Sequence, residues 1–275
     1  MRIASLVPSL TELLFALGLG DHVVGRTGFC IHPAARVRVI TKLGGTKDVL
    51  LERLRELSAS HLLVNVDENR LETIREIESW PAAERPRIVV THPQGPEDVI
   101  GLVGQLLAEF AAWPGLPAAT AEQLRQRAAA LQHDLQAELA ATASTLGECR
   151  KRVLYLIWRE PWMTVARDTY IARMLARIGW QTLPAVDGGP SGAARYPTLA
   201  GDEPWLFDVD RVLLSSEPYA FGEQHLAEAA ALCPNARVEL VDGEALSWYG
   251  PRTLDGLRLL RQMAAEDGGS AAAGD

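Results

Sequence analysis

The stretch that decides the fold runs from Thr120 to Gly147 and reads TAEQLRQRAAALQHDLQAELAATASTLG. It has no proline, no glycine before its last residue, and many strong helix formers such as alanine, leucine, glutamine and glutamate. Leucines recur at helical intervals and form one apolar stripe. They are Leu124, Leu131, Leu135, Leu139 and Leu146. We predict one long helix, with Thr120 as its N-cap and Gly147 as its stop.

On both sides of this helix, apolar strand-like runs alternate with helical patterns. The predicted strands are 3–7, 23–24, 61–66, 87–90, 153–157, 209–215 and 237–241. The predicted helices are 10–17, 47–57, 70–79, 95–111, 168–178, 222–231 and 251–265. Such alternation is typical of a parallel sheet covered by helices.

The long helix has two interpretations. It could be an ordinary amphipathic helix, but a rigid connector is favoured because the alternation of strands and helices restarts after it. The predicted fold class is therefore α/β, with two Rossmann-like lobes that contain parallel sheets and are joined by one long helix. The segments are an N-terminal lobe (1–115), the connecting helix (116–149), a C-terminal lobe (150–265) and a Gly/Ala-rich tail (266–275) that we expect to be disordered.

Composition limits the partners and the location. The formal net charge of −8 and the pI near 5.3 oppose binding to a phosphate backbone, so nucleic acid is excluded as a partner. No apolar run approaches the ~20 residues that span a bilayer. The chain enters a strand pattern directly after Met1, which predicts a cytoplasmic location for the sequence as it stands, and a periplasmic one if a signal peptide has been removed. Cys30, Cys149 and Cys233 are odd in number, so we expect reduced thiols.

Loops after the predicted strands carry aromatic and titratable side chains. In open α/β sheets, ligands bind beyond the carboxyl ends of the strands. The candidate ligand-binding residues in these loops are Phe29, Cys30, His32, Glu68, His92, Trp158, Arg159, Glu217, Tyr219, Trp248 and Tyr249. Aromatic rings there suit a flat, largely apolar ligand such as a macrocycle, and packing within a lobe is the alternative for each ring.

Arginines in the same regions are candidate partners for ligand carboxylates or phosphates, because a guanidinium binds such groups through two parallel hydrogen bonds. They are Arg26, Arg159 and Arg195. The alternative is that they are ordinary surface arginines.

The segment Cys30-Ile31-His32 presents a thiol and an imidazole together, as a soft transition metal or a corrinoid cobalt requires. With His92 as a third ligand, these residues form a candidate metal site. The alternative is that Cys30 is a small buried residue and that His32 caps a turn.

Sequence signatures of catalysis are not found. The chain has no G-x-S-x-G elbow, no glycine-rich phosphate loop and no pair of histidines at metalloprotease spacing. We therefore expect no enzyme activity. A cytoplasmic metal-handling protein or metal-dependent enzyme centred on Cys30, His32 and His92 is the alternative function.

The segment 5–18, SLVPSLTELLFALG, resembles the first motif of the vitamin B12 and ferric-siderophore solute-binding proteins of ABC importers. The likeness covers most of the chain and continues through 24–26, 51–54, the long connector, 158–169 and 250–252. It implies the class III periplasmic-binding fold, in which two α/β lobes are held by one rigid helix. It also implies non-catalytic binding of a corrinoid such as cobalamin, or of a metal chelate, in the cleft between the lobes.

The resemblance also implies roles for single residues. Phe29 matches an aromatic residue of the B12-binding cleft, and 244–249 matches the ligand loop of the second lobe. Glu52 matches the first-lobe glutamate that docks on the ABC permease. The chain departs from the pattern in two places: Ser247 stands at the second docking glutamate, and 44–46 replaces a cleft tryptophan. It is most similar to a signal-less branch of this family, in which the segment from Phe29 to Pro33 replaces a polar-aromatic loop.

Overall fold

The computed structural model describes residues 1–143 and 151–271, which form two compact units. Unit 1 comprises Met1–Pro93, Val99–Leu135 and Tyr249–Pro251. Unit 2 comprises Gln94–Asp98, Gln136–Trp248 and the chain from Arg252 onward. Each unit contains one parallel sheet, which confirms the predicted fold class.

The sheet of unit 1 has five parallel strands in the order β3-β2-β1-β4-β5. They are β1 (Ile3–Ser5), β2 (Val23–Arg26), β3 (Thr41–Lys42), β4 (His61–Asn65) and β5 (Arg87–Thr91). Its helices are α1 (Pro8–Ala16), α2 (Ala34–Val37), α3 (Leu51–Glu56), α4 (Leu71–Glu78), most of α5 (Asp98–Ala111) and the first part of α6 (Ala118–Ala143). The core on one sheet face is built from Ala4, Leu6, Leu62 and Val64, which pack with Leu54, Ile77 and Trp80.

The sheet of unit 2 has four parallel strands in the order β7-β6-β8-β9. They are β6 (Arg152–Leu156), β7 (Gln181–Thr182), β8 (Arg211–Ser215) and β9 (Arg237–Val241). The unit also contains α7 (Tyr170–Ala176), α8 (Leu226–Leu232), α9 (Gly243–Ser247), α10 (Arg252–Ala271) and the end of α6. Its main core cluster includes Leu154, Leu156, Val212, Leu214, Leu206 and Phe221.

Several helix boundaries differ from the predicted ones. Helix α6 begins at Ala118, so Thr120 is not its N-cap, whereas Gly147 and Cys149 lie outside the described residues. Helix α3 begins only at Leu51, because the preceding residues form a turn in which the Gly45 amide donates to the Asp48 carbonyl oxygen at 2.9 Å. The two-residue strands β3 and β7 and the short helix α9 were not predicted.

Helix α10 extends to Ala271, past its predicted end at residue 265. Residues 266–271, which were assigned to the tail, are therefore helical, and 272–275 lie outside the described residues. The preceding turns of α10 carry three buried apolar side chains, Leu257, Leu260 and Met263. Tertiary packing of these turns outweighs the poor helix propensity of the glycines that follow. Among the described residues, no helix combines the length and apolar composition that a membrane span requires.

Candidate functional site

The candidate residues of unit 1 follow strands β2, β4 and β5. Parallel strands end at the same edge of a sheet, so these loops share the carboxyl edge, where ligands bind in this class of fold. The loop after β2 carries Phe29, Cys30 and His32, the loop after β4 carries Glu68, and His92 directly follows β5.

The loop after β2 holds Cys30 inward and Phe29 outward. Cys30 is completely buried, Thr11 donates a hydrogen bond to its Sγ at 3.1 Å, and Thr27 Oγ1 lies 3.2 Å from the same sulfur. Burial raises the pKa of the Cys30 thiol, and these hydrogen bonds offset only part of that effect. The neutral thiol thus fixes the loop, while 62% of the adjacent Phe29 is exposed.

A second group of polar residues surrounds the loop after β4. Lys47 Nζ donates to the carbonyl oxygen of Asp67 at 2.7 Å, and His92 Nε2 lies 3.5 Å from Asp67 Oδ2. The hydroxyl of Tyr249 donates to Glu68 Oε1 at 3.2 Å. Burial is the main cause that raises the pKa of Tyr249 well above its ordinary value, and the charge of Glu68 adds to it. Tyr249 is buried, so it holds Glu68 in place rather than presenting an exposed ring.

The alternative function, a metal centre on Cys30, His32 and His92, is not favoured. Within residues 1–143 and 151–271, no three His, Cys, Asp or Glu side chains are grouped so that they could hold a metal ion. The physical reason is clearest at Cys30, because its sulfur is completely buried and accepts a hydrogen bond from Thr11 at 3.1 Å. His92 instead faces Asp67, with its Nε2 3.5 Å from Asp67 Oδ2.

In unit 2, Glu217 organises the loops after β8 and β9. Its Oε1 accepts hydrogen bonds from the Ser247 hydroxyl and from Trp248 Nε1, both at 2.6 Å. Burial raises the pKa of Glu217, and these two hydrogen bonds oppose the increase. Trp248 is buried, with the guanidinium of Arg252 lying 5.1 Å from its ring centroid. Glu217 therefore fixes the orientation of a tryptophan and of the segment that precedes it.

An aromatic cluster lies beyond β6 and β8. Trp158 meets Tyr219 edge to face, with ring centroids 5.6 Å apart, and 41% of Trp158 is exposed. Tyr219 also contacts Phe221 at 4.7 Å, and Phe221 is parallel to Trp162 at 6.0 Å. Only Trp158 offers a large exposed ring, because Phe221 is buried and the other rings pack against the core.

His225 is part of the same cluster. The amide of Gly222 donates to its Nδ1 at 3.0 Å, so a neutral ring carries its proton on Nε2. Nε2 in turn lies 3.3 Å from the Tyr219 hydroxyl. Sequence reasoning gave Phe221 no role and placed His225 within the predicted helix 222–231, although an aromatic residue two positions after Tyr219 was an available signal.

The three candidate arginines have structural partners. Arg26 is buried and donates to the carbonyl oxygens of Val37 and Thr27. Arg195 is also buried and donates to the Gly189 and Asp168 carbonyl oxygens. Both interpretations from sequence, a ligand contact and a surface arginine, are therefore wrong for these two residues.

Arg159 differs from the other two because it remains partly exposed. It binds Glu228 at 2.8 Å and Glu160 at 2.9 Å. The hydrogen bond to Glu228 is the main cause that raises the pKa of Arg159, which stays charged.

Glu52, the proposed docking residue, is exposed in the first turn of α3. It borders a groove of about 470 Å³ whose other lining residues are Val49, Leu50, Leu51, Arg53 and Glu56. Ser247, which stands at the second docking position, donates its hydroxyl to Glu217 and is part of the hydrogen-bond network described above.

The sequence is similar to proteins named for vitamin B12. A vitamin B12-binding protein of Photorhabdus laumondii is 26% identical over 241 residues, which cover 79% of this chain and 86% of that protein. No protein-family model matches the chain.

Two solved structures have the same fold. The periplasmic vitamin B12-binding protein of Vibrio cholerae has a TM-score of 0.76 and 20% identity, and covers 96% of this chain and 97% of its own. The periplasmic heme-binding protein of Roseiflexus sp. RS-1 has a TM-score of 0.74 and 22% identity. The match covers 96% of this chain and 98% of that protein. The chain therefore has the class III periplasmic-binding fold that the resemblance implied.

Proposed function

We propose that this protein reversibly binds a compact, largely apolar ligand of the corrinoid or metal-chelate class, and that it performs no chemistry on it. The observation that carries the proposal is the exposed ring of Trp158 at the carboxyl edge of the unit 2 sheet. The exposed ring of Phe29, at the carboxyl edge of the unit 1 sheet, supports it. Relatives named for vitamin B12 and a structural neighbour named for heme indicate the same ligand class.

The exposed rings are held by ordered neighbours. Phe29 lies between two anchored residues. The Gly28 amide donates a hydrogen bond to the Gly44 carbonyl oxygen at 2.7 Å, and the buried Cys30 accepts one from Thr11. Trp158 is braced by Tyr219, which His225 holds in turn. A preorganised aromatic ring loses little conformational entropy when a flat ligand packs on it. These rings suit the faces of a macrocycle better than an extended or highly charged ligand.

Polar groups at the same sheet edges suit the periphery of such a ligand. Glu68, His92 and Asp67 lie after strands of unit 1, where they could meet amide or hydroxyl groups. In unit 2, Arg159 keeps its charge and could meet a carboxylate. A few polar groups in an otherwise aromatic and apolar site are typical of small-molecule recognition.

Binding without catalysis fits the state of the titratable groups. The Cys30 thiol is buried with a raised pKa and is hydrogen-bonded, so it is a poor nucleophile. Glu217 accepts two hydrogen bonds through one oxygen and is engaged as a structural acceptor. We propose, on the same grounds of similarity, that the protein acts in a periplasmic setting, with Glu52 on α3 as a docking residue for an ABC permease.

The proposal is tested by thermal and chemical unfolding in the presence of cobalamin, ferric porphyrin and a ferric siderophore. A ligand at a hundredfold its Kd should add about 2.7 kcal/mol to the free energy of unfolding. Trp158→Ala and Phe29→Ala should each reduce this gain. The matched control is Phe207→Ala, because Phe207 is 63% exposed but precedes β8 at the opposite end of the strand. The proposal is overturned if no member of the panel stabilises the wild type, or if the control reduces the gain as much.

A further inference from the structure

One edge of the unit 2 sheet is strand β9. In the sheet order β7-β6-β8-β9, β9 pairs with β8 on one side only. Hydrogen bonds at both ends of β9 show which of its residues face β8: the Arg237 amide donates to the Asp210 carbonyl oxygen, and the Val241 carbonyl oxygen accepts from the Ser216 amide. Backbone groups alternate in direction along a strand, so Val238 and Leu240 direct theirs away from β8. Within the described part of the chain, no hydrogen bond reaches those groups.

The corresponding edge in unit 1 is protected. Strand β5 is also terminal in its sheet, but the side chain of Gln105 donates to the Val90 carbonyl oxygen at 2.9 Å. Covering an edge with a side chain or a helix is a common way to prevent pairing with another chain. Strand β9 has no such cover among the described residues, so the two edges differ in their capacity to accept a further strand.

The side chains of β9 select an antiparallel partner with the same sequence. Arg237 and Glu239 lie on one face of the strand, with 60% of the Arg237 side chain exposed and 3.4 Å between the two charged groups. If two β9 strands pair antiparallel about Val238, Arg237 of each copy lies opposite Glu239 of the other. Centring the pair on residue 237 or 239 would place like charges opposite each other, which is destabilising. Among pairs centred on 237, 238 or 239, the charge pattern therefore favours the one centred on Val238.

The opposite face of β9 supplies apolar surface. Val238 packs partly against the unit 2 core, and Leu240 is 42% exposed. Leu240 also borders a groove of about 360 Å³ that is lined by Leu214, Phe221 and Val241, with Ser216 and Asp242 at its polar end. A strand added beside β9 would cover part of this apolar surface while it satisfies the free backbone groups.

We propose that β9 pairs antiparallel with β9 of a second copy of this chain, about a two-fold axis at Val238, and so joins two unit 2 sheets into one. The interface is isologous, because the same residues serve both copies. It is built from a five-residue strand and is smaller than a standard interface, so the dimer is expected to be weak, with a Kd of about micromolar or higher.

Sedimentation analysis of the full chain over a wide concentration range tests this interface. Wild type should show a reversible monomer–dimer equilibrium. Val238→Pro removes one outward amide on each copy but no bond to β8, and should weaken the dimer about tenfold or more. Val238→Ile, the matched control, keeps the amide and the branched side chain. Arg237→Glu places acidic groups opposite Glu239 and should weaken the dimer more than Arg237→Gln does.

Circular dichroism and thermal unfolding of each variant establish that the fold is kept. The proposal is overturned if the wild type stays monomeric throughout the concentration range. It is equally overturned if a wild-type dimer forms and the folded Val238→Pro and Arg237→Glu proteins dimerise as strongly as their controls, because the contact then lies on another surface. Neither outcome depends on a ligand, so the result is separable from the proposed binding function.

Discussion

A single carboxylate, Glu217, fixes two side chains that are 30 and 31 residues away in sequence. Glu217→Ala leaves the buried indole N–H of Trp248 without its acceptor, so we expect a loss of about 1–3 kcal/mol in the free energy of unfolding. Glu217→Gln keeps an oxygen acceptor and should cost less. Urea unfolding followed by tryptophan fluorescence measures both. The exposed Glu223 supplies the control, Glu223→Ala, and equal losses for the two alanine variants would contradict the role of Glu217.

His61 is a buried histidine at the start of β4. Its Nδ1 lies 3.0 Å from the Ser60 hydroxyl, and its Nε2 lies 3.2 Å from Glu109 Oε1. Its ring contacts Phe110 and Trp113 edge to face. Burial lowers the pKa of His61, and the nearby carboxylate of Glu109 only partly compensates. The folded protein therefore holds this ring neutral at pH values where an unfolded chain would already take up a proton.

This shift predicts a pH dependence of stability. Because the folded pKa lies below the unfolded value of about 6.5, the unfolded state binds the proton first as the pH falls, which lowers the free energy of unfolding. His61→Gln removes this contribution, so the stability advantage of the wild type over the variant should shrink from pH 7.5 to pH 5. Urea unfolding at each pH measures it, with the exposed His133→Gln as control. If the stability advantage of the wild type over His61→Gln grows towards pH 5, the pKa of His61 is raised by folding and not lowered.

At the scale of elements, the spacing of the apolar stripe on helix α6 was predictable, but how deeply each of its side chains is buried was not. Leu124, Leu135 and Leu139 are buried as the stripe requires, and Ala128 is buried with them. Leu131 is only half-buried. Periodicity identifies the face of a helix that packs inward, whereas the depth of each position depends on what packs against it.

This difference along α6 can be measured. Leu135→Ala removes a fully buried side chain and should cost about 2–5 kcal/mol in the free energy of unfolding. Leu131→Ala, one turn earlier on the same helix, should cost clearly less because Leu131 already contacts solvent. Guanidinium unfolding of both variants compares them directly. Equal costs would mean that the packing assigned to Leu135 is not formed.

Short elements were the least predictable. Strands β3 and β7 have two residues each, which is too short for an alternating pattern to be visible. Helix α9 spans five residues and is set by the side chain of Asp242, which accepts a hydrogen bond from the Ala245 amide at 3.2 Å. Such local capping depends on backbone geometry that composition alone does not specify.

For the whole molecule, the order of strands and helices was readable because hydrophobic patterns are continuous along the chain. The exposure of individual site residues was harder to predict. Phe29 and Trp158 were identified as strand-end aromatics and are exposed, whereas Trp248 and Tyr249 came from the same reasoning and are buried. The buried pair hydrogen-bonds to glutamates far away in sequence, and only the fold brings these partners together.

Native mass spectrometry of the full chain with cobalamin, with ferric porphyrin and with a ferric siderophore, each added separately, tests the central claim most directly. Ligand binding predicts a saturable 1:1 adduct with at least one of them, which decreases strongly in Trp158→Ala and is unchanged in Phe207→Ala. Saturating ligand without any adduct, or adducts of variable stoichiometry that both variants keep, would contradict the account.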